Sequence, residues 1–259
     1  MKTKSGKGPK GKTPDTEPIR LNKFIAHAGI CSRREADQLI QEGKIQVNGK
    51  VVKELGIKVH PQDKVKYQGK ILQDQKQVYL LLNKPKDFIT TTKDPENRKT
   101  VMDLIKKSGE QRLFPVGRLD RNTTGLLLFT NDGDLAEKLS HPSNQVRKLY
   151  QIDLDKPLNK DDLERLGRGV QLEDGIAFAD SVAIVSGDKK SIGLEIHSGK
   201  NRVVRRMFEA LDYNVVKLDR VIYAGLTKKD LPRGHWRFLT KSEVIHIKHF
   251  QSPKRKSPS

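Results

Sequence analysis

A single cysteine, Cys31, in 259 residues excludes an internal disulfide and any zinc site built from cysteines. It is expected to be a small core residue. Aromatic residues are scarce at 5%, with one tryptophan, and no stretch approaches the roughly 18 consecutive apolar residues of a membrane span. The opening residues, Met1 to Lys10, contain no apolar run of the secretory kind. These absences lead to the expectation of a soluble protein in a reducing cytoplasm. Acidic residues are also in deficit, since 51 Lys and Arg face 32 Asp and Glu for a net charge of +19. Residues 1–17 carry five lysines and two acids, and residues 250–259 three basic residues and no acid, so the ends supply +6 and the stretch between them +13. A basic excess of that size is an electrostatic footprint for phosphate and points to a nucleic acid partner.

Length allows one large or two modest domains, and 34% hydrophobic residues suffice for a core beneath a heavily charged surface. Gly6-Lys-Gly-Pro-Lys-Gly11-Lys12-Thr13 satisfies a phosphate-loop pattern, but no buried strand can feed it and Pro14 follows. A disordered Lys/Gly tail is expected there. The seven histidines are scattered, and the closest pair, His246 and His249, would point to opposite faces of a strand, so no metal site is expected.

Regular structure is expected from about Arg20. Leu21, Phe24, Ile25 and Ala28 fall at helical spacing, and Ser32-Arg33-Arg34-Glu35 supplies a capping box for a second helix whose buried stripe is Ala36, Leu39 and Ile40. Ile45 and Val47 then alternate into Asn48-Gly49, a strong hairpin signal, and Val51 resumes beyond it. Arg33 and Arg34 stand out, because cations in a helix's first turn oppose its dipole at about 0.3–1 kcal/mol each. A phosphate backbone across the helix start would compensate, and so would Glu35 and Asp37 in a solvated turn.

After a polar joint near Gln73 to Gln77, Val78 to Leu82 reads as a buried strand stopped by Pro85. Val101 to Ile105 suggests a short helix, Asp134 to Leu139 another, and Arg147 to Ile152 alternates as a strand with Tyr150 on its half-buried face. Val204, Met207, Phe208 and Leu211 recur at helical spacing with Arg202, Arg205 and Arg206 on other faces. Residues 227–249 alternate like a strand, notably at Ile245 and Ile247.

The densest information lies between Phe114 and Gly133. Leu126 to Phe129 is a short continuous apolar run bounded by Gly125 and by Asn131-Asp132-Gly133, the pattern of a strand buried on both faces. Asp120 lies on the approach to it between Arg118 and Arg121, whose charges would lower a carboxylate pKa from its ordinary ~3.9. An ionised carboxylate can attack carbon. Arg-x-Asp-Arg before a strand is equally the pattern of a surface ion pair of little energetic worth, and local physics leaves both readings open.

The string Gly117-Arg-Leu-Asp-Arg-Asn-Thr-Thr-Gly-Leu-Leu-Leu-Phe-Thr-Asn-Asp-Gly133 closely resembles the signature of the Rsu family of ribosomal-RNA pseudouridine synthases. Leu81-Leu-Asn-Lys-Pro85 is similar to the opening of that family's synthase domain, and Gly199-Lys-Asn-Arg-x-x-Arg-Arg-Met207 to its late motif. Arg20-Leu-Asn-Lys-Phe-Ile25, Ser32-Arg-Arg-Glu-Ala-Asp-Gln-Leu-Ile40 and Gly43-Lys-Ile-Gln-Val-Asn-Gly-Lys-Val-Val52 resemble the S-four-type RNA-binding module, which binds RNA without chemistry of its own.

The resemblance implies an α+β chain: a small helix-helix-hairpin RNA-binding module over 18–76, then a pseudouridine synthase catalytic domain over 77–250 on a mixed, largely antiparallel sheet, with disordered basic tails at 1–17 and 251–259. It implies Asp120 as the nucleophile, Arg118 filling the gap left by an extracted nucleotide, and Tyr150 stacked on the target base. Arg205 would pair with the aspartate, with Arg206 or Arg202 as alternatives; Val203 departs from the polar residue often found in that motif. Expected RNA contacts are Arg33, Arg34 and Lys44 in the module, and Arg118, Arg121, Lys148, Lys200, Arg202 and Arg206 around the catalytic cleft. The implied activity is isomerisation of a uridine in ribosomal RNA, of the large rather than the small subunit, by a cytoplasmic monomer without cofactor, metal or small-molecule cosubstrate. The competing reading is a noncatalytic RNA-binding ribosome-assembly factor, for which Asp120 would be dispensable.

Overall fold

The structure, a computed structural model, describes residues 17–250. The tails expected at 1–17 and 251–259 and the phosphate-loop look-alike at 6–13 lie outside the described residues, Glu17 apart. The chain divides into two compact units, Met1–Lys76 and Gln77–Ser259.

In the first unit, β1 (Ile19–Arg20) leads into α1 (Leu21–His27) and α2 (Arg33–Gln41). Ser32 caps α2, its hydroxyl accepting from the Glu35 N–H at 3.3 Å while the Glu35 carboxylate accepts from the Ser32 N–H at 2.8 Å. Loss of such a cap costs about 1 kcal/mol. The helix closes through Lys44 N–H to Leu39 C=O at 3.0 Å and Gly43 N–H to Ile40 C=O at 2.9 Å. The strands that follow are β2 (Ile45–Val47), β3 (Lys50–Val52), β4 (Lys58–Val59), β5 (Val65–Tyr67) and β6 (Lys70–Ile71). They form an antiparallel sheet in the order β3-β2-β5-β6 plus a β1-β4 pair, so this unit holds a second hairpin beyond the one at Asn48-Gly49. Leu21, Ile25, Ala36, Ile40, Ile45 and Val65 make its core, and Cys31 is half-buried at the margin.

The second unit opens with β7 (Tyr79–Lys84), α3 (Val101–Leu104), β8 (Phe114–Pro115) and β9 (Thr124–Thr130). It continues through α4 (Gly133–Ser140), β10 (Lys148–Leu154), α5 (Lys160–Arg168), β11 (Ser181–Ile184) and β12 (Ser191–Ile196). α6 (Val203–Glu209), β13 (Val215–Tyr223), β14 (Leu226–Thr227), β15 (Trp236–Phe238) and α7 (Lys241–Lys248) complete it. A nine-stranded sheet runs β11-β12-β10-β13-β9-β7-β15, with β14 on β13 and β8 on β9. All its pairings are antiparallel except the short β9-β13 contact, where Asp219 faces Thr124 and Arg220 faces Gly125.

The continuous apolar runs of β7 and β9 follow from burial on both faces. Leu80, Leu82, Leu127 and Phe129 join one core with Val203, Val204, Met207 and Phe208 of α6. Tyr79, Leu81, Leu126 and Leu128 join the other with Leu135 and Leu139 of α4 and Ile247 of α7. At about 1.5–3 kcal/mol per buried side chain of this size, a polar residue on either face would be costly.

Two stretches differ from the sequence-based expectation. Ile245 and Ile247 lie on helix α7, not on a strand; Ile247 is buried and Ile245 exposed. His246 is therefore helical, with His249 just past the helix end, and the two do not oppose each other across a strand. The overlooked signal is Thr240-x-x-Glu243, a further capping box. Residues 155–197, for which the pattern makes no assignment, supply α5, β11 and β12, and Ile192, Leu194 and Ile196 point alternately into the core. Among the described residues no helix is long and apolar enough to cross a membrane.

Candidate active site

Asp120 sits on the loop between β8 and β9, and that loop is tied down by its backbone. The Lys84 ammonium, at the end of β7 and buried completely, donates to the carbonyls of Thr123 at 2.8 Å, Asp120 at 3.1 Å, Arg121 at 3.2 Å and its neighbour Pro85 at 3.1 Å. Burial lowers the Lys84 pKa to about 8, while the charges of Asp120 and Asp87 oppose the fall. The Thr90 hydroxyl donates to Leu119 C=O at 2.7 Å, and Asp87 N–H donates to Arg121 C=O at 3.0 Å. A turn bond from Thr123 N–H to Asp120 C=O at 3.0 Å completes the loop. The carboxylate is thus presented from a loop fixed at both ends.

Asp120 lines a cavity of about 260 Å³. Its walls include Ile196, Val204 and Leu218, all buried, together with the buried Tyr150 on β10. Arg118, Lys148, Lys200, Arg202, Arg205 and Arg220 contribute positive charge to the same cavity.

The arginines that face Asp120 come from elsewhere in the chain than its sequence neighbours. Arg202 is its ion-pair partner, Nη1 to Oδ2 at 3.9 Å, and also reaches Glu209 at 3.5 Å. Arg121 pairs instead with Asp87 at 3.4 Å on the exposed side. Arg118 lines the cavity from an exposed position, so the two-arginine clamp expected from sequence does not form. Arg205 donates through Nη1 to Val215 C=O at 2.8 Å and acts on Asp120 only at longer range. Burial first, then the charge of Arg202, pulls Arg205 below the usual arginine range, with Asp120 opposing. By contact it is Arg202, one of the two alternatives, that pairs with the aspartate.

The remaining expected contacts divide by what holds them. Lys148 is half-buried, donating to His197 C=O at 2.9 Å and Ser198 C=O at 3.2 Å, and burial followed by the charge of Arg220 lowers its pKa to about 8. Lys200 donates to Asp174 C=O at 2.6 Å, and Arg206 grips the Asp174 carboxylate with both terminal nitrogens at 2.9 and 3.1 Å. Both are engaged inside the protein. In the first unit, Arg33 and Arg34 stand exposed in the first turn of α2, and exposed Lys44 pairs with Glu42 at 2.6 Å.

Several contributors are not singled out by sequence reasoning, which takes 217–226 only as a family-like stretch closing the pocket floor. Lys84 is one; the signal was a polar Asn83-Lys84 pair ending an otherwise apolar strand. Asp219 is another, accepting from Thr124 Oγ1 at 2.9 Å and from both terminal nitrogens of Arg233 at 3.0 Å, with Lys228 beside it. Burial raises its pKa, and Arg233 and Lys228 outweigh that and bring it down. Arg233 also donates to Asn83 Oδ1 at 2.6 Å, joining β13 to β7 behind the loop. Arg220, buried to 2%, donates through Nε to Leu126 C=O at 2.8 Å and lies 4.5 Å over the Tyr223 ring.

Residues 78–210 match the family model described as RNA pseudouridylate synthase, and residues 19–76 match the S4 domain. The chain is similar to the ribosomal large subunit pseudouridine synthase B of Bacillus subtilis (strain 168), 46% identical over 233 residues that cover 88% of this chain and 95% of that protein. It is similar also to the dual-specificity RNA pseudouridine synthase RluF of Escherichia coli O6:H1, 36% identical over 241 residues, 90% of this chain and 79% of that one. A solved structure described as a pseudouridylate synthase superposes with a TM-score of 0.63 at 27% identity, covering 88% of this chain and 99% of its own.

Proposed function

The chain belongs to the RNA pseudouridylate synthase family, with an S4 domain ahead of the synthase domain, and from that premise we propose that it converts a uridine of large-subunit ribosomal RNA to pseudouridine. The observation that carries this reading is Asp120, on a pinned loop, facing Arg202 across a cavity walled by Tyr150 and aliphatic side chains. The naming of the Bacillus subtilis relative for the ribosomal large subunit supports the choice of RNA.

A uridine stacked in a helix cannot enter such a cavity, so the nucleotide is extruded, at a few kcal/mol of unstacking offset by phosphate contacts. Arg118 and Arg202, exposed beside the cavity, and Arg33 and Arg34 at the start of α2 suit those contacts. Asp120 is the nucleophile. The bond from uracil N1 to C1′ of the ribose breaks, the base turns within the cavity, and a bond forms from C5 to C1′ while C5 loses a proton and N1 gains one. Atoms balance within one nucleotide, so no cosubstrate is consumed. Tyr150 stacks on the loose base, an interaction worth about 1–3 kcal/mol. Arg202 and Arg205 place positive charge opposite the carboxylate. The protein acts as a cytoplasmic monomer.

The test is carbodiimide mapping of pseudouridines in ribosomal RNA from cells lacking the protein, rescued by wild type or by Asp120→Asn. Wild type should restore the missing modification and Asp120→Asn should not. Restoration by both would remove Asp120 from the mechanism, and no missing modification would remove the activity.

A further inference from the structure

Buried polar groups in folded proteins almost always have a partner. Among the described residues of the second unit, three buried side-chain atoms have none in the protein: Thr123 Oγ1, Arg205 Nε and Arg220 Nη2. All three residues line the cavity that holds Asp120. Thr123 and Arg220 are each buried to 2%, so these donors lie deep in the site and not at its rim.

Arg220 is held more rigidly than an ordinary arginine. Its backbone abuts Gly125 at the β9-β13 junction, its Nε is bonded to Leu126 C=O, and its guanidinium lies over the Tyr223 ring, whose hydroxyl is itself bonded to Leu139 C=O at 3.1 Å. Among the described residues no carboxylate is hydrogen-bonded to it, and the adjacent Asp219 is occupied by Arg233 and Lys228. Lys148, close enough for the two charges to be felt, adds a second cation with backbone partners only. A fixed, desolvated cation with an unused N–H is built to meet an oxygen acceptor arriving with a ligand. Walls such as Ile196, Val204 and Leu218 suit a flat neutral ring better than a phosphate, which the exposed Arg118 and Arg202 can meet instead.

We propose that Arg220 reads a carbonyl oxygen of the extruded uracil and meets a carbonyl partner in both orientations of the base, before and after its rotation. This rests on the activity proposed above. Uracil carries O2 beside N1 and O4 beside C5, and turning the ring about its N3–C6 axis exchanges N1 with C5 and O2 with O4. A single fixed donor therefore finds an acceptor before glycosidic cleavage and again when C5 faces the ribose. The buried guanidinium thus has a carbonyl acceptor in either orientation. Cytosine, with an amino group in place of O4, would set donor against donor in one orientation.

The experiment uses the full chain and a ribosomal RNA fragment spanning the mapped uridine, synthesised with uridine, 2-thiouridine or 4-thiouridine at that position. Sulfur is a weak hydrogen-bond acceptor. Single-turnover conversion by wild type should slow about tenfold with either thio substitution, the size expected for weakening one hydrogen bond to a charged donor. Arg220→Lys should convert the uridine fragment more slowly, yet treat the three fragments alike within about twofold. Arg220→Gln serves the same purpose if the lysine variant does not fold. Equal wild-type rates on all three fragments, sensitivity to one substitution alone, or an undiminished thio effect in the variants would overturn the proposal. Failure of wild type on the unsubstituted fragment would count instead against the proposed function.

Discussion

Gly125→Ala probes the junction on which the site is built. A Cβ at Gly125 would lie 2.3 Å from the Arg220 carbonyl oxygen, 2.5 Å from the Arg220 nitrogen and 2.6 Å from Asp219 Oδ1, against an optimal separation of about 3.5–4.0 Å. Two of the three atoms are backbone, so no rotamer change makes room and β13 must move. Gly125 also has φ +106°, where a Cβ costs about 1–2 kcal/mol in torsional strain. Forced overpacking adds about 1–3 kcal/mol, for a total near 2–5 kcal/mol. At roughly 2–4 °C per kcal/mol for a unit of this size, the melting temperature should fall by about 4–20 °C. Gly117→Ala is the internal control, because Gly117 has φ +72° but nothing within 4 Å of an added Cβ. It should cost only the torsional part and melt about 2–8 °C below wild type. Thermal melts followed by circular dichroism compare the two directly. Conversion of the ribosomal RNA fragment by Gly125→Ala, measured below its melting range, should fall at least about tenfold, since moving β13 displaces Arg220 and Asp219 from the nucleophile loop. Melting temperatures for the two variants within 2 °C of each other would refute the steric reasoning.

Lys84→Met removes the donor that gathers the carbonyls of Asp120, Arg121 and Thr123, but it also relieves the burial of a charge. The two largely offset, so stability should change by no more than about 2 kcal/mol while kcat falls about tenfold or more through misplacement of the carboxylate; a folded variant with wild-type kcat would dismiss Lys84 as a positioning residue. Because the folded-state pKa of Lys84 is about 8 against an ordinary lysine value of 10.5, the unfolded chain binds more protons between those values, and stability should rise with pH in that window. Urea unfolding at pH 7.5 and 9.5 should show a gain about 1–2 kcal/mol larger in wild type than in Lys84→Met, and an equal gain would contradict the lowered pKa. Arg33→Ala and Arg34→Ala should each weaken RNA binding and reduce the slope of log affinity against log salt by about 1, readable from filter binding at several salt concentrations; unchanged slopes would remove these residues from the phosphate contacts.

Where an element is decided by neighbours a few residues away, it was legible. Ser32 and Glu35 are three apart and cap α2 as their spacing dictates. Asn48-Gly49 turns β2 into β3, and the apolar run 126–129 lies inside β9. The same local rule misled at residues 241–248, where the alternation of Ile245 and Ile247 also fits a helix once Thr240 and Glu243 cap it. β12 has a clear alternation of its own, but it is only six residues long and interrupted by Gly193.

Composition and pattern by themselves determined a strongly basic chain of mixed helices and strands and drew attention to Asp120 at the mouth of a buried strand, while the two-part α+β architecture came from the family resemblance. Only the assembled sheet decided what surrounds that carboxylate. Arg202 faces Asp120 across 82 positions of chain, while the adjacent Arg121 turns away to Asp87. Lys84 reaches the loop from 36 positions upstream, and Arg220 reaches Leu126 from 94 downstream. The reason is physical: backbone propensity and capping act over three or four residues, whereas a charge's partner is chosen by distance in space, which exists only after β7, β9, β10 and β13 have paired.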